Sequence, residues 1–229
     1  MKRLVLMIVI IGSLFASPAY GHKLINHNET HRSFETALVI PDHKISWAIY
    51  EDLDVGEAKF YSFEAKKGDS FYASIVIPKM IGLEEYSPTI VLVHPRNFDY
   101  QNNTLQPQSN MEKYPYEGSF PGTEFYEPFG QVTYWERQEI NTVIPSDGQF
   151  FIVVVDEKNQ SGKYSLAIGK IEDFSGIDFF TILPKAWFDT KLFVNDYLSI
   201  AIFFVVFGGI VILPTTFIVR KKTKLKIVK

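Results

Sequence analysis

An uncharged stretch of 23 residues near the end of the chain restricts its fold more than any other feature. It runs from Tyr197 to Val219, and residues 220–229 then hold six cations and no acid. About 20 apolar residues let a helix cross the hydrocarbon core of a bilayer, and a basic flank stays on its cytoplasmic side. The sequence therefore predicts one C-terminal transmembrane helix at 197–219, a cytoplasmic tail at 220–229 and an extracellular N-terminal part.

The first residues predict a secretory signal peptide. Lys2 and Arg3 precede an apolar run at 4–15, and small residues then offer cleavage after Ala19 or after Gly21. We take 1–21 as the signal, so the mature chain is a single-pass protein of the cell membrane. An uncleaved anchor is the alternative.

Charge is divided unevenly along the chain. Residues 22–196 hold all 26 acids and 15 cations, which gives them a net charge of −11. Nucleic acids bind cationic surfaces, so they are excluded as partners. A cationic ligand is compatible with this negative charge. The chain has no cysteine, which excludes thiol catalysis, thiolate metal sites and disulfides.

Short β-prone runs separated by turn residues occupy residues 44–170. They lie at 45–50, 58–65, 70–77, 89–93, 131–135, 149–155 and 163–168. No amphipathic helical pattern interrupts them, so we expect an all-β sandwich. The turn sequence Lys67-Gly68-Asp69 joins the second and third runs, which predicts that they pair as a hairpin.

Three segments carry a family resemblance: AKFYSFEAKKGDSFYASIVI, SPTIVLVHP and PSDGQFFIVVVDEKNQSGKYSLAIG. Together they resemble the pre-peptidase C-terminal domain of secreted microbial proteins, over roughly residues 45–169. The resemblance implies a small jelly-roll-like β-sandwich that serves as a non-catalytic appendage. The order of signal, sandwich, span and basic tail is also similar to that of cargo receptors with a Golgi-dynamics domain, whose disulfide this chain lacks.

A long insertion, residues 96–130, is rich in aromatic and small polar residues and has neither helical nor strand periodicity. We expect a loop that either binds a protein partner or glycan, or covers an edge of a sheet. The partner-binding candidates in it are Tyr100, Tyr114, Tyr116, Phe120, Phe125 and Tyr126.

Residues 171–196 form a second aromatic segment, directly before the predicted span. Trp187 and Phe188 are its candidate partner-binding residues, and Pro184 is expected to divide any helix here into two short pieces. The segment is expected to lie at the membrane interface, with packing on the sandwich or on a partner's membrane helix as the alternative.

The polar leader at 22–43 suggests a metal site. His27, Glu29 and His31 share one face of an extended chain, and a cleaved chain adds the amine and ring of His22. Such imidazole-rich ligation suits copper or zinc. The alternative is a mobile terminus with solvated histidines.

Two further sets of site residues are candidates. The acidic residues Glu51, Asp52, Asp54 and Glu57 follow the first predicted strand and suit calcium, or else form a solvated turn. The sequence N-x-S/T marks Asn28, Asn102 and Asn159 as glycosylation candidates.

No catalytic pattern is present in the sequence: G-x-S-x-G, S-x-x-K, a Gly-rich phosphate loop and H-E-x-x-H are all missing. We therefore expect a non-catalytic binding or scaffolding module that needs no cofactor, such as an accessory subunit of a membrane complex. A copper- or zinc-binding surface protein is the first alternative, and an enzyme with a site assembled from distant residues is the second.

Overall fold

The computed structural model describes residues 22–94, 110–173 and 178–209, with side chains of the last range from 182 onward. The predicted signal at 1–21, the candidates Tyr100 and Asn102, residues 210–219 of the predicted span and the tail at 220–229 lie outside the described residues.

The described residues contain eleven strands, and their bounds match most of the predicted runs. In chain order they are β1 (Lys23–Leu24), β2 (Leu38–Val39), β3 (Trp47–Leu53), β4 (Ala58–Ala65), β5 (Ser70–Pro78), β6 (Thr89–Val93), β7 (Met111–Tyr114), β8 (Glu124–Glu127), β9 (Val132–Val143), β10 (Gly148–Val155) and β11 (Gly162–Ile168).

Two sheets pack face to face, which confirms the prediction of an all-β sandwich. The six-stranded sheet has the order β1-β3-β11-β5-β9-β8, and the five-stranded sheet has the order β2-β4-β10-β6-β7. Alternate side chains of both sheets fill the space between them, with Ile49, Phe71, Ile75, Phe150 and Leu166 fully buried. Burial of this apolar surface is the main force that holds the sheets together.

The predicted hairpin of β4 and β5 is wrong. β4 pairs with β10 in one sheet, whereas β5 pairs with β11 and β9 in the other. Phe63 and Phe71 stack across the core with 4.9 Å between their ring centroids, so the apolar faces of the two strands oppose each other. The turn between them, where Gly68 adopts a φ of 92°, therefore carries the chain from one sheet to the other.

The described part of the insertion, residues 110–130, is not the unstructured loop that its composition predicts. β7 adds a strand beside β6, and β8 adds a strand beside β9. Both are edge strands whose outward side chains face water, which removes the hydrophobic alternation that identifies a strand in sequence.

The leader at 22–43 is part of the sandwich. β1 pairs in parallel with β3, and β2 pairs in parallel with β4. Between these strands the chain passes from the edge of one sheet to the edge of the other, and Phe34 packs on Phe60 and Phe151.

One helix, α1 (Asp178–Phe193), lies on the outer face of the six-stranded sheet. Tyr50 stacks on Phe193 with 4.4 Å between ring centroids and shares a 2.8 Å hydrogen bond with Thr190. The expectation that Pro184 divides this segment is wrong, because the helix continues through it. An interior proline costs about 3 kcal/mol, and burial of Leu183, Ala186 and Phe193 offsets this cost.

A second helical stretch occupies residues 197–209. Asp196 precedes it and accepts a 3.1 Å hydrogen bond from the amide of Ser199, as an N-cap residue does. Lys191 pairs with the same carboxylate at 2.8 Å, and these contacts lower the pKa of Asp196 to about 2. Within the described part of the chain, no helix reaches the length and apolarity that crossing a bilayer requires.

Candidate functional site

Two places on the sandwich bring functional side chains together. The first is the edge where the leader crosses from β3 to β4. Hydrogen bonds from the amides of Lys23 and Ile25 to the carbonyls of Ser46 and Ala48 hold the leader along β3. Glu29 then reverses the chain with a φ of 59°, and the carbonyl of His31 accepts a 2.9 Å hydrogen bond from the amide of Phe60 in β4.

Because of this reversal, His27 and His31 face inward at the same point. Their rings meet edge to face, with 4.8 Å between centroids. The Nε2 atom of His31 lies 2.7 Å from Oε1 of Glu51, and Nε2 of His27 lies 3.2 Å from the same oxygen. His31 and Glu51 are buried, and the side chain of His27 is 9 % exposed.

The edge cluster, as we call His27, His31, Glu51, Lys59, Tyr61 and Tyr164, extends into the core through two tyrosines. Tyr61 donates a 3.1 Å hydrogen bond to Glu51, and its oxygen lies 2.8 Å from that of Tyr164. Burial, with Glu51 nearby, raises the pKa values of Tyr61 and Tyr164 well above the ordinary range of tyrosine. Both phenols are therefore neutral, and Tyr164 is the donor to Tyr61.

The ammonium group of Lys59 lies in the buried part of the edge cluster. It is fully buried, and its Nζ lies 3.7 Å from Oε2 of Glu51 and 3.5 Å from Oε1 of Glu57. Neither Lys59 Nζ nor Glu51 Oε2 has a hydrogen-bond partner among the described residues. A buried ion pair without further hydrogen bonds recovers little of the cost of removing its charges from water.

The predicted metal ligands are only partly brought together. The ligand atoms of His27, His31 and Glu51 all lie within 4.8 Å of one another. Glu29 is exposed because the chain turns at this residue instead of staying extended. His22 lies elsewhere, with its Nδ1 2.6 Å from the hydroxyl of Ser46.

The second place is a cleft of about 240 Å³ on the outer face of the six-stranded sheet. Two rows of side chains cross the face in register, from β3 through β11 and β5 to β9. One row is Ala48–Ala167–Ser74–Glu139, and the next is Tyr50–Ser165–Val76–Glu136. The small side chains in the middle form the floor of the cleft, where Ala48, Ser165 and Ala167 are buried.

The two carboxylates of the cleft share a face because of an irregularity in β9. Ser74 pairs with Glu139 and Val76 pairs with Glu136, so three residue steps on β9 oppose two on β5. Such a β-bulge re-aims side chains that would otherwise alternate. Glu136 and Glu139 are exposed on the cleft side, while Arg137 and Gln138 between them are buried.

Aromatic rings form the walls of the cleft. Tyr50 and Tyr134 stand at the end nearest α1, Phe125 on β8 closes one side, and Tyr72 stands at the far end. The ammonium of Lys170 lies 4.1 Å from the centroid of the Tyr72 ring. Glu127 also lines the cleft, and burial raises the pKa of its carboxyl although the amides of Phe129 and Gly130 donate to it.

The predicted partner-binding residues that the structure describes separate into four places. Phe125 and Tyr126 are exposed on β8, and Phe125 but not Tyr126 lines the cleft. Tyr116 and Phe120 pack together on the Arg137 guanidinium, with ring centroids 5.1 and 5.3 Å from it and 5.4 Å from each other, and Tyr114 packs against the core. Trp187 and Phe188 pack on Phe203 and Phe204 of the second helical stretch.

The four calcium candidates do not converge. Glu51 faces the edge cluster, and Asp52 faces outward to Lys163 at 2.8 Å because successive residues of a strand point to opposite faces. Asp54 and Glu57 close a turn, where Glu57 accepts from the amide of Asp54 and pairs with Arg32 at 2.6 Å. Of the glycosylation candidates, Asn28 and Asn159 are exposed in turns.

Sequence reasoning missed Lys59 and Tyr61 and assigned Glu51 to the wrong neighbours. The alternation of side chains along the predicted strands could have identified these residues. Glu51 is two residues from both Ile49 and Leu53, so its side chain points to the same face of the strand as theirs. Lys59 shares a face with Tyr61 and Phe63 in the same way. Charged residues at inward positions of strands indicate a buried polar cluster.

Comparison with known proteins gives matches at the level of structure. No family model matches the chain, and no curated protein matches it. The chain is similar to a pre-peptidase C-terminal domain of collagenase from Bacillus anthracis, at 19% identity over 62% of this chain and 97% of that one, with a TM-score of 0.31. This match agrees with the resemblance in the sequence.

Two other solved structures are similar at lower identity. PliG of Aeromonas hydrophila, a periplasmic inhibitor of g-type lysozyme, is 11% identical over 65% of this chain and 94% of its own, with a TM-score of 0.33. MopE, a secreted copper-binding protein of Methylococcus capsulatus, is 9% identical over 65% and 98%, with a TM-score of 0.28. All three TM-scores are below 0.5, and no conclusion about function rests on them.

Proposed function

We propose that this chain is a membrane-anchored, non-catalytic module that binds a cationic group outside the cytoplasm, in the cleft of the six-stranded sheet. The observation that carries the proposal is the pair Glu136 and Glu139, which the β-bulge places on one face beside a floor of small residues. Carboxylates that share one face of a sheet offer the counter-charge that a bound cation needs.

The aromatic walls favour the same ligand class. Lysine and quaternary ammonium groups are attracted to the faces of tyrosine and phenylalanine rings. Lys170 already occupies such a position over Tyr72 at 4.1 Å, so the chain's own ammonium marks one end of the cleft as a cation site. The net charge of −11 on residues 22–196 steers cations toward this surface. A lysine side chain of a protein partner has the chemistry that fits.

The exposed surface of residues 197–209 supports membrane anchoring. Large apolar side chains on it face outward, and a surface of this kind is unfavourable in water. They are Tyr197, Leu198, Ile202, Phe203, Phe204, Val205, Val206 and Phe207. Together with the uncharged sequence to Val219 and the basic tail, they favour insertion into a bilayer. Lipid is then a partner through this one helix.

A titration tests cation binding. The full chain in detergent micelles is titrated with Nα-acetyl-lysine methylamide, and the backbone resonances of Ser74 and Ala167 are followed by NMR. We expect saturable shifts in the cleft, about tenfold weaker binding in Glu136→Gln/Glu139→Gln, and unchanged binding in Glu112→Gln/Glu157→Gln on another surface.

A neutral analogue, Nα-acetyl-norleucine methylamide, distinguishes charge recognition from apolar binding. Equal binding of both compounds contradicts the proposal, as does unchanged affinity in the double variant. For the anchor, protease treatment of intact cells is expected to remove residues 22–196 and spare an epitope tag on the tail. Digestion of the tail from outside contradicts the proposed topology.

A further inference from the structure

We propose that His27, His31 and Glu51 bind a divalent transition-metal ion, zinc or copper, at the edge where the leader crosses the sandwich. This site is separate from the cleft and does not rest on the function proposed for it. Two imidazoles and one carboxylate form a ligand set that these metals accept, whereas calcium prefers a shell of oxygen atoms.

The distances between the three ligand atoms are close to those that coordination of one metal ion requires. Both Nε2 atoms lie within 3.2 Å of Glu51 Oε1, and the three ligand atoms lie within 4.8 Å of one another. Metal–ligand bonds to nitrogen and oxygen are about 2.0–2.2 Å, so an ion among these atoms requires only small side-chain shifts. Burial of His31 and Glu51 holds both in place before the ion arrives.

The hydrogen bonding of Glu51 is incomplete on the side that faces Lys59. Oε1 accepts hydrogen bonds from Tyr61 and His31, and Nε2 of His27 lies 3.2 Å from the carbonyl oxygen of Tyr50, but Oε2 has no hydrogen-bond partner among the described residues. A fully buried carboxylate oxygen that accepts no hydrogen bond costs free energy, although Lys59 lies 3.7 Å away. Coordination of an ion uses this oxygen or Oε1, because a carboxylate can rotate between the two.

Metal binding also changes the turn at Glu29. Its amide donates a 3.3 Å hydrogen bond to Nδ1 of His27, which places the proton of that ring on Nε2. Ligation through Nε2 requires the proton on Nδ1 instead, and the amide of Glu29 must then turn away. The amide resonance of Glu29 is therefore a local reporter of ligation by His27.

The positive charge of Lys59 repels a metal ion bound at Glu51 and so lowers the affinity of the site for that ion. The ammonium lies 3.7 Å from Glu51 Oε2, and a second cation near the same carboxylate meets its repulsion. Lys59→Met removes that charge and keeps an unbranched apolar side chain of similar length. We expect it to tighten zinc binding by about tenfold, because the ion then becomes the only counter-charge in direct contact with Glu51.

The test uses the full chain in detergent micelles, stripped of metal with a chelator and then titrated separately with zinc, copper and calcium. We expect one equivalent of zinc or copper and no calcium by elemental analysis after desalting. At about 100 times the dissociation constant, the unfolding temperature is expected to rise by roughly 5–10 °C, and the Glu29 amide resonance to move.

His27→Ala is the decisive variant, since its ring lies at the border of the cluster and the variant can fold without it. It is expected to lose stoichiometric binding, while circular dichroism in the absence of metal stays that of the parent. His94→Ala is the matched control, because the Nε2 of His94 lies 3.1 Å from Glu112 in another histidine–glutamate pair. It is expected to keep the metal.

Three outcomes overturn the proposal. One is that the parent chain binds no zinc or copper at micromolar concentrations. The second is that His27→Ala folds and binds as tightly as the parent. The third is that Lys59→Met folds but binds more weakly, which would mean that the ion does not lie beside Glu51.

Discussion

The edge cluster and the cleft contain the same kinds of groups, carboxylates beside aromatic rings, but they differ in their access to water. In the edge cluster, Glu51 and Lys59 are buried, so protein atoms or a bound ion must satisfy them. In the cleft, Glu136 and Glu139 are exposed and are satisfied by solvent until a ligand replaces it. The same residue type is thus enclosed by its neighbours in one region and open to solvent in the other.

The largest expected effect of a substitution is at Glu51. Glu51→Gln keeps the shape of the side chain but leaves the ammonium of Lys59 buried 3.7 Å from a neutral group. Breaking a buried ion pair costs about 3–5 kcal/mol of unfolding free energy, and we expect the lower end, about 3 kcal/mol, because Glu57 still lies 3.5 Å from the ammonium. Thermal and urea unfolding of the full chain in detergent measures the loss.

Glu112→Gln is the control for this substitution, because it removes an exposed carboxylate that faces His94. We expect it to cost less than about 1 kcal/mol. Similar losses in the two variants would contradict the contrast between buried and exposed pairs.

An intermediate effect is expected at Tyr164. Tyr164→Phe removes the hydroxyl that lies 2.8 Å from that of Tyr61, in a fully buried place. The loss leaves Tyr61 with one hydrogen-bond partner fewer, at a cost of about 1–2 kcal/mol. The same unfolding measurement applies, with the exposed Tyr126→Phe as the variant that should not change stability. A neutral result for Tyr164→Phe would mean that water replaces the hydroxyl.

The smallest effect on stability is expected in the cleft. Glu136→Gln/Glu139→Gln is expected to change the unfolding free energy by less than about 0.5 kcal/mol, because both side chains are exposed and surface substitutions have small effects. Loss of cation affinity without loss of stability is what distinguishes a binding surface from a structural cluster. A loss of more than about 2 kcal/mol would make these carboxylates structural.

Much of the sandwich was predictable because each strand carries its own local pattern. The bounds predicted for β4 and β6 match the structure, and those for β5, β10 and β11 differ by one residue at an end. The partner of a strand is not encoded in this way. The turn at Lys67-Gly68-Asp69 suits a hairpin as well as a crossing between sheets, and the pairing of β4 with β10 and of β5 with β9 and β11 decides for the crossing.

The candidate sites show the same limit. His27 and His31 were predicted as ligands from their types and spacing, but the third group came from β3, 20 residues beyond His31. The spacing rule assumed an extended leader, whereas the turn at Glu29 removes that residue from the set. The cleft was not predicted at all, because its floor is made of alanine, serine and valine residues from three strands that are distant in sequence.

The sequence by itself determined the class of the protein: an acidic, cysteine-free chain with β-prone runs and a long uncharged stretch before a basic tail. These properties depend on composition and local order, which folding does not change. The tertiary structure decided which charges are buried and which are open, because that depends on strand pairing, on one β-bulge in β9 and on where the leader crosses the edge of the sandwich. Those contacts join residues far apart in the chain, and no local pattern specifies them.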